Sequence, residues 1–515
     1  HNPRRDARSL LASCFARVRM RSASPFQSLP VYIHRVGLFD GYTSDGFSEV
    51  GAPGAIRPHY APLIDRLEQF GPDEFADRVR MCDSAFQRQG ITFAVYGAEE
   101  GTERVWPLDL IPRIIPADEW LHVEAGLKQR VRALNAFLDD VYVGEQTSLE
   151  EGIVPRWLAE SADGYLPEVH GIEVPEGSRC AISGIDLVRD DQGVYRVLED
   201  NVRVPSGISY VIENRIAMTR VLPVAFSKYR VRPVGHYGAS LSKALRQSAP
   251  AGTSDPVIVV LTPGSYNSAY FEHAFLARQL GAQLVEGRDL VVRDHSVYMR
   301  TTHGLRNVDV IYRRVGDEFI DPVVFRPDSV LGVPGLMSAV RAGTVTLANA
   351  VGNGVADDKG IYPFVPAMIR YFLDEEPILP NVTTYLPWEP DQLDEVLSRL
   401  DELVVKPVAE AGGKGIVIGH QADDETLRRT AMQLRADPRG YIAQEVVQLS
   451  TSPTFVDGRL GPRHIDLRPF VLSGGGEIEV IPGGLTRVAL REGSLVVNSS
   501  AGGGSKDTWV LVGDA

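Results

Sequence analysis

"GIDLVRDDQGVYRVLEDNVRVPSG", residues 184–207, alternates apolar and polar side chains on either side of an Asp- and Gly-rich turn at Asp190–Gly193, and so reads as a β-hairpin. Its second strand ends in Glu199, Asp200 and Asn201, a poor finish for a strand that only packs. With the turn placed there, Asp186 falls opposite Val197 or Glu199. The period of two puts Asp186, Glu199 and Asn201 on one face and Asp200 on the other. Two carboxylates and an amide converging without a cation repel one another; around Mg²⁺ they supply the hard oxygen ligands that ion prefers. A solvated polar face is the other reading these residues leave open.

The chain around the hairpin has 515 residues, 44% hydrophobic and 23% charged. That is an ordinary globular composition, long enough for two or three domains. A formal net charge of −14 and a pI near 5.4 disfavour a surface that collects nucleic acid through its phosphates, so no nucleic-acid partner is expected. The three cysteines, Cys14, Cys82 and Cys180, have neither CxxC nor metal-ligand spacing, which favours a reducing compartment. No apolar run approaches the ~20 residues that cross a bilayer; no membrane role and a cytoplasmic location are the expectation. Residues 1–26, rich in Arg and Ser and nearly free of acid, read as a disordered, tag-like or transit-like extension, with Met20 as an alternative start.

Residues 27–254 read as an α+β region: helical from about Tyr60 to Phe86, a strand at Ile91–Gly97, a helix at Asp118–Tyr142, then the hairpin. From 255 to 348 the pattern changes. "PVIVVLTPG" is a buried strand, "AYFEHAFLARQLGAQLVEG" a helix leading to a short strand, and "VDVIYRRV" a third strand, together a small parallel α/β unit. Ligands of such units sit beyond the C-terminal strand ends, where "TPGSYNSAY" lies. Residues 349–515 hold short strands separated by turns, "ELVVKPVAEAGGKGIVIG", "YIAQEVV", "RHIDLRPFVL", "EIEVIPGGLTRVAL" and "GSLVVNSS", and read as mainly antiparallel sheet.

In "VVKPVAEAGGKGI", Lys406 ends one strand and Gly412, Gly413 and Gly415 form the turn to the next. Glycines admit backbone N–H groups close to an anion and the lysine supplies countercharge. The GxxxxGK[ST] phosphate loop is absent, and a plain hairpin also fits. Downstream, Gln444 and Glu445 end a strand and suit the edge of a base. Asp466 and Arg468 ("DLR"), Arg487 ("TRVA"), and Asn498 and Lys506 ("VNSSAGGGSKD") follow. Each also has a structural reading as an edge residue or surface ion-pair partner. Arg57, His59 and Tyr60 in "RPHY", with Tyr266 and Asn267 in "TPGSYN", suit an acid or acceptor substrate, Arg57 as a bidentate carboxylate clamp, or else cap the helices that follow them.

Taken in order, these segments resemble the ATP-grasp superfamily with its ends rearranged. There the usual order is two lysines, the Gly-rich loop, the adenine-side hinge, D-x-R, an Arg, an Asn-containing segment and finally Asp with E-x-N. Here Asp186, "EDN" and "VPSG" come first. The chain is similar to the circularly permuted ATP-grasp family, type 2 group, related to the ligase domain of glutathionylspermidine synthases. The resemblance runs from about Phe39 to Leu511 and includes "GYTSDGF", "LTPGSYNSAYFEHAFLARQLGAQLVEGRDL" and "GGGSKDTWVL".

That resemblance implies a permuted ATP-grasp fold (α+β / α/β) with a small parallel pre-ATP-grasp unit at 255–348 and the nucleotide-binding part at 349–515. It implies ATP and Mg²⁺ as cofactors, with Asp186, Glu199 and Asn201 as metal ligands. Lys359 in "DDKGIY" and Lys406 become the phosphate-side lysines; Gly412, Gly413 and Gly415 cover the phosphates; Gln444, Glu445, Val446 and Val447 hold adenine. Arg203 faces the γ-phosphate, while Arg468, Arg487 and Asn498 neutralise the transferred phosphoryl group or an acyl phosphate. Lys506 joins the substrate set, and His59 and His273 are the candidate bases.

The implied reaction joins a small-molecule or peptide carboxylate to an amine through an acyl phosphate, releasing ADP and phosphate. Phosphotransfer, or non-catalytic nucleotide binding beside a partner such as an alpha-E type helical protein, are the competing readings. Two departures stand out. Ser183 and Gly184 occupy the place where glutathionylspermidine synthases carry an Arg before the first metal-binding Asp, and no amidase half with a Cys/His pair precedes the ligase part.

Overall fold

The hairpin is present in the computed structural model, which describes residues 38–39, 42–44, 46–52, 55–94, 103–409, 414–498 and 502–513. The 1–26 extension lies outside the described residues. Strands Ile182–Arg189 and Tyr195–Asn201 pair antiparallel, Asp186 opposite Glu199 and Gly184 opposite Asn201, and the register shifts so that Leu187 meets Val197. Leu198 is therefore the extra residue of a bulge. Strict alternation would put Val197 and Glu199 on one face. The bulge lets Val197 enter the core beside Ile185 and Leu187 while Glu199 joins Asp186. Asp200, opposite Ile185, turns to the helix side, where both its oxygens accept from Arg130 at 2.6 Å.

This hairpin belongs to a nine-stranded sheet drawn from both ends of the chain. Its path runs Glu477–Val480, Phe470–Gly474, Ile182–Arg189, Arg459–Arg468, Leu485–Val488, Gly504–Val510, Leu108–Ile115; Thr451–Val456 pairs with Arg459–Arg468, and Tyr195–Asn201 with Ile182–Arg189. An early strand thus sits between two late ones, as the permuted order of motifs requires. The last pair on the path, Gly504–Val510 with Leu108–Ile115, is parallel. Helix Ala117–Tyr142 covers one face, burying Trp120, Val123, Leu127 and Val131 against Ile185, Leu187, Val197 and Leu467. Each such fully buried aliphatic side chain contributes about 1.5–3 kcal/mol.

The parallel α/β unit is also present. Strands Thr346–Ala348, Val310–Arg313, Ile258–Leu261 and Gln283–Val285 form one all-parallel sheet, with helix Tyr270–Leu280 crossing from the third of these to the fourth. An antiparallel trio, Leu290–Arg293, Ser296–Thr301 and Gly304–Val308, is inserted within it. A separate four-stranded sheet in the order Thr384–Tyr385, Tyr441–Glu445, Leu403–Pro407, Val417–Ile418 carries the Gly-rich turn. Its own small core holds Val396, Leu400, Leu403, Val405, Leu434 and Ala443.

Two local expectations are corrected. The helix expected from Tyr60 to Phe86 is two, Ala61–Leu67 and Pro72–Gln89; Pro72 opens the second because its missing N–H costs nothing at a helix start. "GSLVVNSS" is not a strand through its described residues, 493–498. The ladder position beside Leu485–Val488 is taken by Gly504–Val510, and Leu495, Val496 and Val497 lie on a cleft instead. Among the described residues, no helix is long and apolar enough to cross a membrane.

Candidate active site

The small sheet faces the hairpin side of the nine-stranded sheet across a cleft of about 1010 Å³, its open mouth included. Its lining combines apolar Val188, Val404, Ile416, Ile418, Val446, Val447 and Leu449 with polar and charged Asp186, Glu199, Lys359, Lys406, Gln444, Glu445, Asp466, Arg487 and Asn498. An apolar slot with a few convergent polar groups is the common form of a small-molecule site.

The charged cluster follows from strand order. Asp466 lies opposite Arg487 in the ladder, and Leu467 of the same strand pairs with Leu187, bringing Asp186 alongside. Asp186 Oδ1 accepts from Arg468 Nε at 2.5 Å, and its Oδ2 accepts from Arg468 Nη2 and Arg487 Nη2, both at 2.8 Å. Arg487 also reaches Asp466 through Nε at 2.9 Å and donates from Nη1 to Asn498 Oδ1 at 2.8 Å. Burial alone would raise the pKa of Asp186, but the two guanidiniums hold it down to about 2. Asp466, fully buried and facing Asp186 as well as Arg487, is pushed up by burial. Arg487 is shifted up: burial opposes its charge, and the two carboxylates outweigh that.

Lys359 Nζ stands 3.5 Å from the Glu199 carboxylate. Lys406 Nζ donates to Gln444 Oε1 at 2.5 Å. Burial lowers the Lys406 pKa to about 8, with Glu199 opposing and Lys359 reinforcing the shift. Gln444 Nε2 donates to Thr384 Oγ1 at 3.0 Å, so the amide is held at both ends and positions Lys406, with one N–H to spare. Glu445 is likewise committed, accepting from the Tyr385 hydroxyl at 2.6 Å and from Arg399 at 3.0 Å. Gln444, Glu445, Val446 and Val447 all line the cleft, the first two with side chains that already hold partners within the protein. Gly415 takes φ +69°, and a Cβ there would stand 2.8 Å from the Pro407 ring. Gly412 and Gly413 lie outside the described residues.

The donor set suits a hard cation in kind. Asp186 and Glu199 are directly paired and Asn201, whose Oδ1 is the atom that would ligate, follows on the same face. Of the four lone-pair sites of Asp186, the arginines use three. Among the described residues, no group of three or more His, Cys, Asp or Glu could hold a metal; the third donor in this set is an amide.

Other expected residues are placed elsewhere. Arg203 pairs with Asp357 at 2.6 Å, and the same carboxylate accepts the Val202 N–H at 2.5 Å; Arg203 does not line the cleft. Lys506 is corrected outright. It is buried and bound to Asp109, to the Ile111 carbonyl at 3.1 Å and to the Pro453 carbonyl at 2.8 Å, which uses all three of its donors. Arg57 pairs with Glu119 at 2.9 Å. The Tyr60 hydroxyl, fully buried, accepts the Ile114 N–H at 2.7 Å. Asn267 Oδ1 accepts the Ala269 N–H at 2.9 Å, just ahead of a helix, and Tyr266 is fully exposed. None of these lines the cleft. Burial lowers the pKa of both histidines, His59 and His273, the latter to about 2; His273 also shares a hydrogen bond with Thr262 at 2.9 Å. Lys414 does line the cleft. Its signal was its place between the glycines of "GGKG".

A small sheet with a Gly-rich turn, closed over a carboxylate, amide and arginine face whose strands come from both ends of the chain, is an ATP-grasp architecture in permuted order. The chain belongs to the family described as circularly permuted ATP-grasp type 2, which matches residues 112–489. An uncharacterized protein of Synechocystis is 55% identical over 462 residues, 90% of this chain and 96% of its own length. One of Mycobacterium tuberculosis is 53% identical over 480 residues, 92% of this chain and 86% of its own. A protein of Frankia alni named "Putative glutamate--cysteine ligase 2-3" is 45% identical over 492 residues, 95% of this chain but 56% of its own length, so the chain spans about half of it. Among solved structures, a glutathione synthetase-like effector from Globodera pallida, in apo form, shares the fold with a TM-score of 0.56 at 14% identity, covering 86% of this chain and 98% of that one.

Proposed function

We propose that the protein is an ATP- and Mg²⁺-dependent ligase that joins a carboxylate to an amine through an acyl phosphate, releasing ADP and phosphate. The observation that carries this reading is the convergence of Lys359, Lys406, Asp186, Glu199 and Arg487 on one cleft, with Arg468 bound to Asp186. Membership of the ATP-grasp family and the printed name of the Frankia relative support it.

In this reading Val188, Val404, Ile418, Val446 and Val447 enclose the adenine. Lys406, held by Gln444, and Lys359, held near Glu199, neutralise the phosphates. Asp186, Glu199 and Asn201 would hold Mg²⁺, which supplies charge neutralisation at the phosphates. Arg468 and Arg487, already oriented by Asp186 and Asp466, present N–H donors where charge spreads over the phosphoryl oxygens. Positioning and charge stabilisation are what phosphoryl transfer chiefly needs. The donor carboxylate then takes the γ-phosphoryl group, and the amine attacks the activated acyl carbon and displaces phosphate.

The test incubates the protein with Mg-ATP and a pool of bacterial metabolites and short peptides, following ADP, AMP and phosphate together with product masses. Pool-dependent ADP and phosphate release with a new condensed mass, absent in Glu199→Ala, is the expected result. A phosphate ester in place of an amide, or AMP in place of ADP, would overturn it.

A further inference from the structure

Two of the cleft's lysines, Lys359 and Lys406, come from different bodies of the fold. Lys359 follows Asp357 and Asp358 on the main body, whereas Lys406 lies on the small sheet. Something must set their separation. Asp358 Oδ2 accepts from Arg439 Nη2 at 2.8 Å, and its Oδ1 accepts the Gly360 N–H at 2.7 Å, so this one carboxylate brackets Lys359. Arg439 stands just before strand Tyr441–Glu445, in which Tyr441 pairs with Pro407, the residue after Lys406. The neighbouring Gly440 carbonyl accepts the Val408 N–H at 2.9 Å.

Arg439 is itself fixed from three sides. Its Nε donates to Ser161 Oγ at 3.0 Å, its Nη2 also reaches the Leu158 carbonyl at 3.4 Å, and its guanidinium lies 5.6 Å from the centre of the Trp388 ring. The close approach needs a glycine at 360, where a Cβ would meet the Trp388 ring at 2.9 Å and Arg439 Nη1 at 3.1 Å. The Asp358 side of the pair is almost fully buried and the Arg439 side about four-fifths so, at 6% and 21% exposure. Its attraction is therefore screened less than that of a surface pair.

We infer that Arg439 and Asp358 form a positioning latch that joins the small sheet to the main body and fixes the spacing between Lys359 and Lys406, so that both meet the phosphates of one nucleotide. Arg439 touches no reacting atom; it acts through Asp358 on Lys359. The inference rests on the cleft being the nucleotide site. The fork of the guanidinium matters, because its planar, fixed donors grip Asp358, Ser161 and Leu158 in set directions while the plane lies against Trp388, a geometry that a lysine ammonium does not reproduce.

The test is a double-mutant cycle on Mg-ATP affinity, measured by calorimetric titration of the whole chain, with far-UV circular dichroism and Tm as fold controls. Arg439→Met is expected to weaken binding about tenfold in the wild-type background and less than about twofold when Lys359→Met is already present, because its effect passes through that lysine. Arg439→Lys, the milder change, is expected to weaken binding about threefold and carries the test if Arg439→Met does not fold. Unchanged affinity in a folded Arg439 variant, or losses that simply multiply with Lys359→Met, would overturn the latch while leaving the nucleotide site standing. A folded wild type that does not bind Mg-ATP would overturn the nucleotide site and the latch with it.

Discussion

Two lysines are withdrawn from bulk water in this molecule, in two different regions, and their surroundings differ in the way that separates a site from a core. Lys506, on the strand Gly504–Val510, spends its donors on Asp109 and two carbonyls. Lys406, on the small sheet, donates to Gln444 and faces a cleft lined by Glu199, Lys359 and Arg487. Burial lowers the pKa of both. Burial of a charge is common to the two; a cavity in front of it belongs only to Lys406.

The largest effect that can sharpen this contrast is at the arginine clamp. Asp186→Ala leaves Arg468 and Arg487 short of a buried counter-charge, and urea unfolding should show a loss of about 3–5 kcal/mol together with loss of turnover. Next comes the lysine pair itself. Lys506→Met strands the buried Asp109 carboxylate and should cost about 3 kcal/mol of stability while ATP affinity, measured on the folded fraction, stays as in wild type. Lys406→Met should do the reverse, weakening Mg-ATP binding about tenfold with no loss of unfolding free energy and a gain at neutral pH, because burial of this ammonium counts against the folded state.

The sign of the pH dependence separates binding from folding at the same residue. The Lys406 pKa is about 8 folded against about 10.4 unfolded, so between these values the unfolded chain holds more protons and the residue's contribution to stability rises with pH. ATP affinity should run the other way. It falls as pH passes 8, because the ammonium that meets the phosphates is lost, and this decline should be missing in Lys406→Met. The smallest expected effect is Gly415→Ala, at about 1 kcal/mol, from a left-handed φ and a Cβ pressed on Pro407. It should be seen as a small drop in Tm.

Much of the fold and part of the site were legible in the sequence, and the rest was hidden for physical reasons. Period-two alternation sorted Asp186 and Glu199 from Asp200, and the ladder pairs Asp186 with Glu199. It could not show the Leu198 bulge, which depends on the core's demand for Val197. The order of motifs carried the permutation, since an early strand had to enter a late sheet. Side-chain partners set by distant residues were not legible: "GGGSKD" does not announce that Lys506 meets Asp109, 397 residues earlier, nor does "DDKGIY" announce that Asp358 meets Arg439. Gln444 and Glu445 were placed correctly at a strand end and line the cleft, but their bonds to Lys406, Thr384, Tyr385 and Arg399 were not legible.

The most direct test of the central claim, that the hairpin face and the small sheet together make one Mg-ATP site, is calorimetric titration of ATP with and without Mg²⁺ into wild type and Glu199→Gln. Mg²⁺ should tighten ATP binding to the wild type, and Glu199→Gln should remove most of that gain. Nucleotide affinity indifferent to Mg²⁺, or equally Mg²⁺-dependent in both proteins, would contradict it.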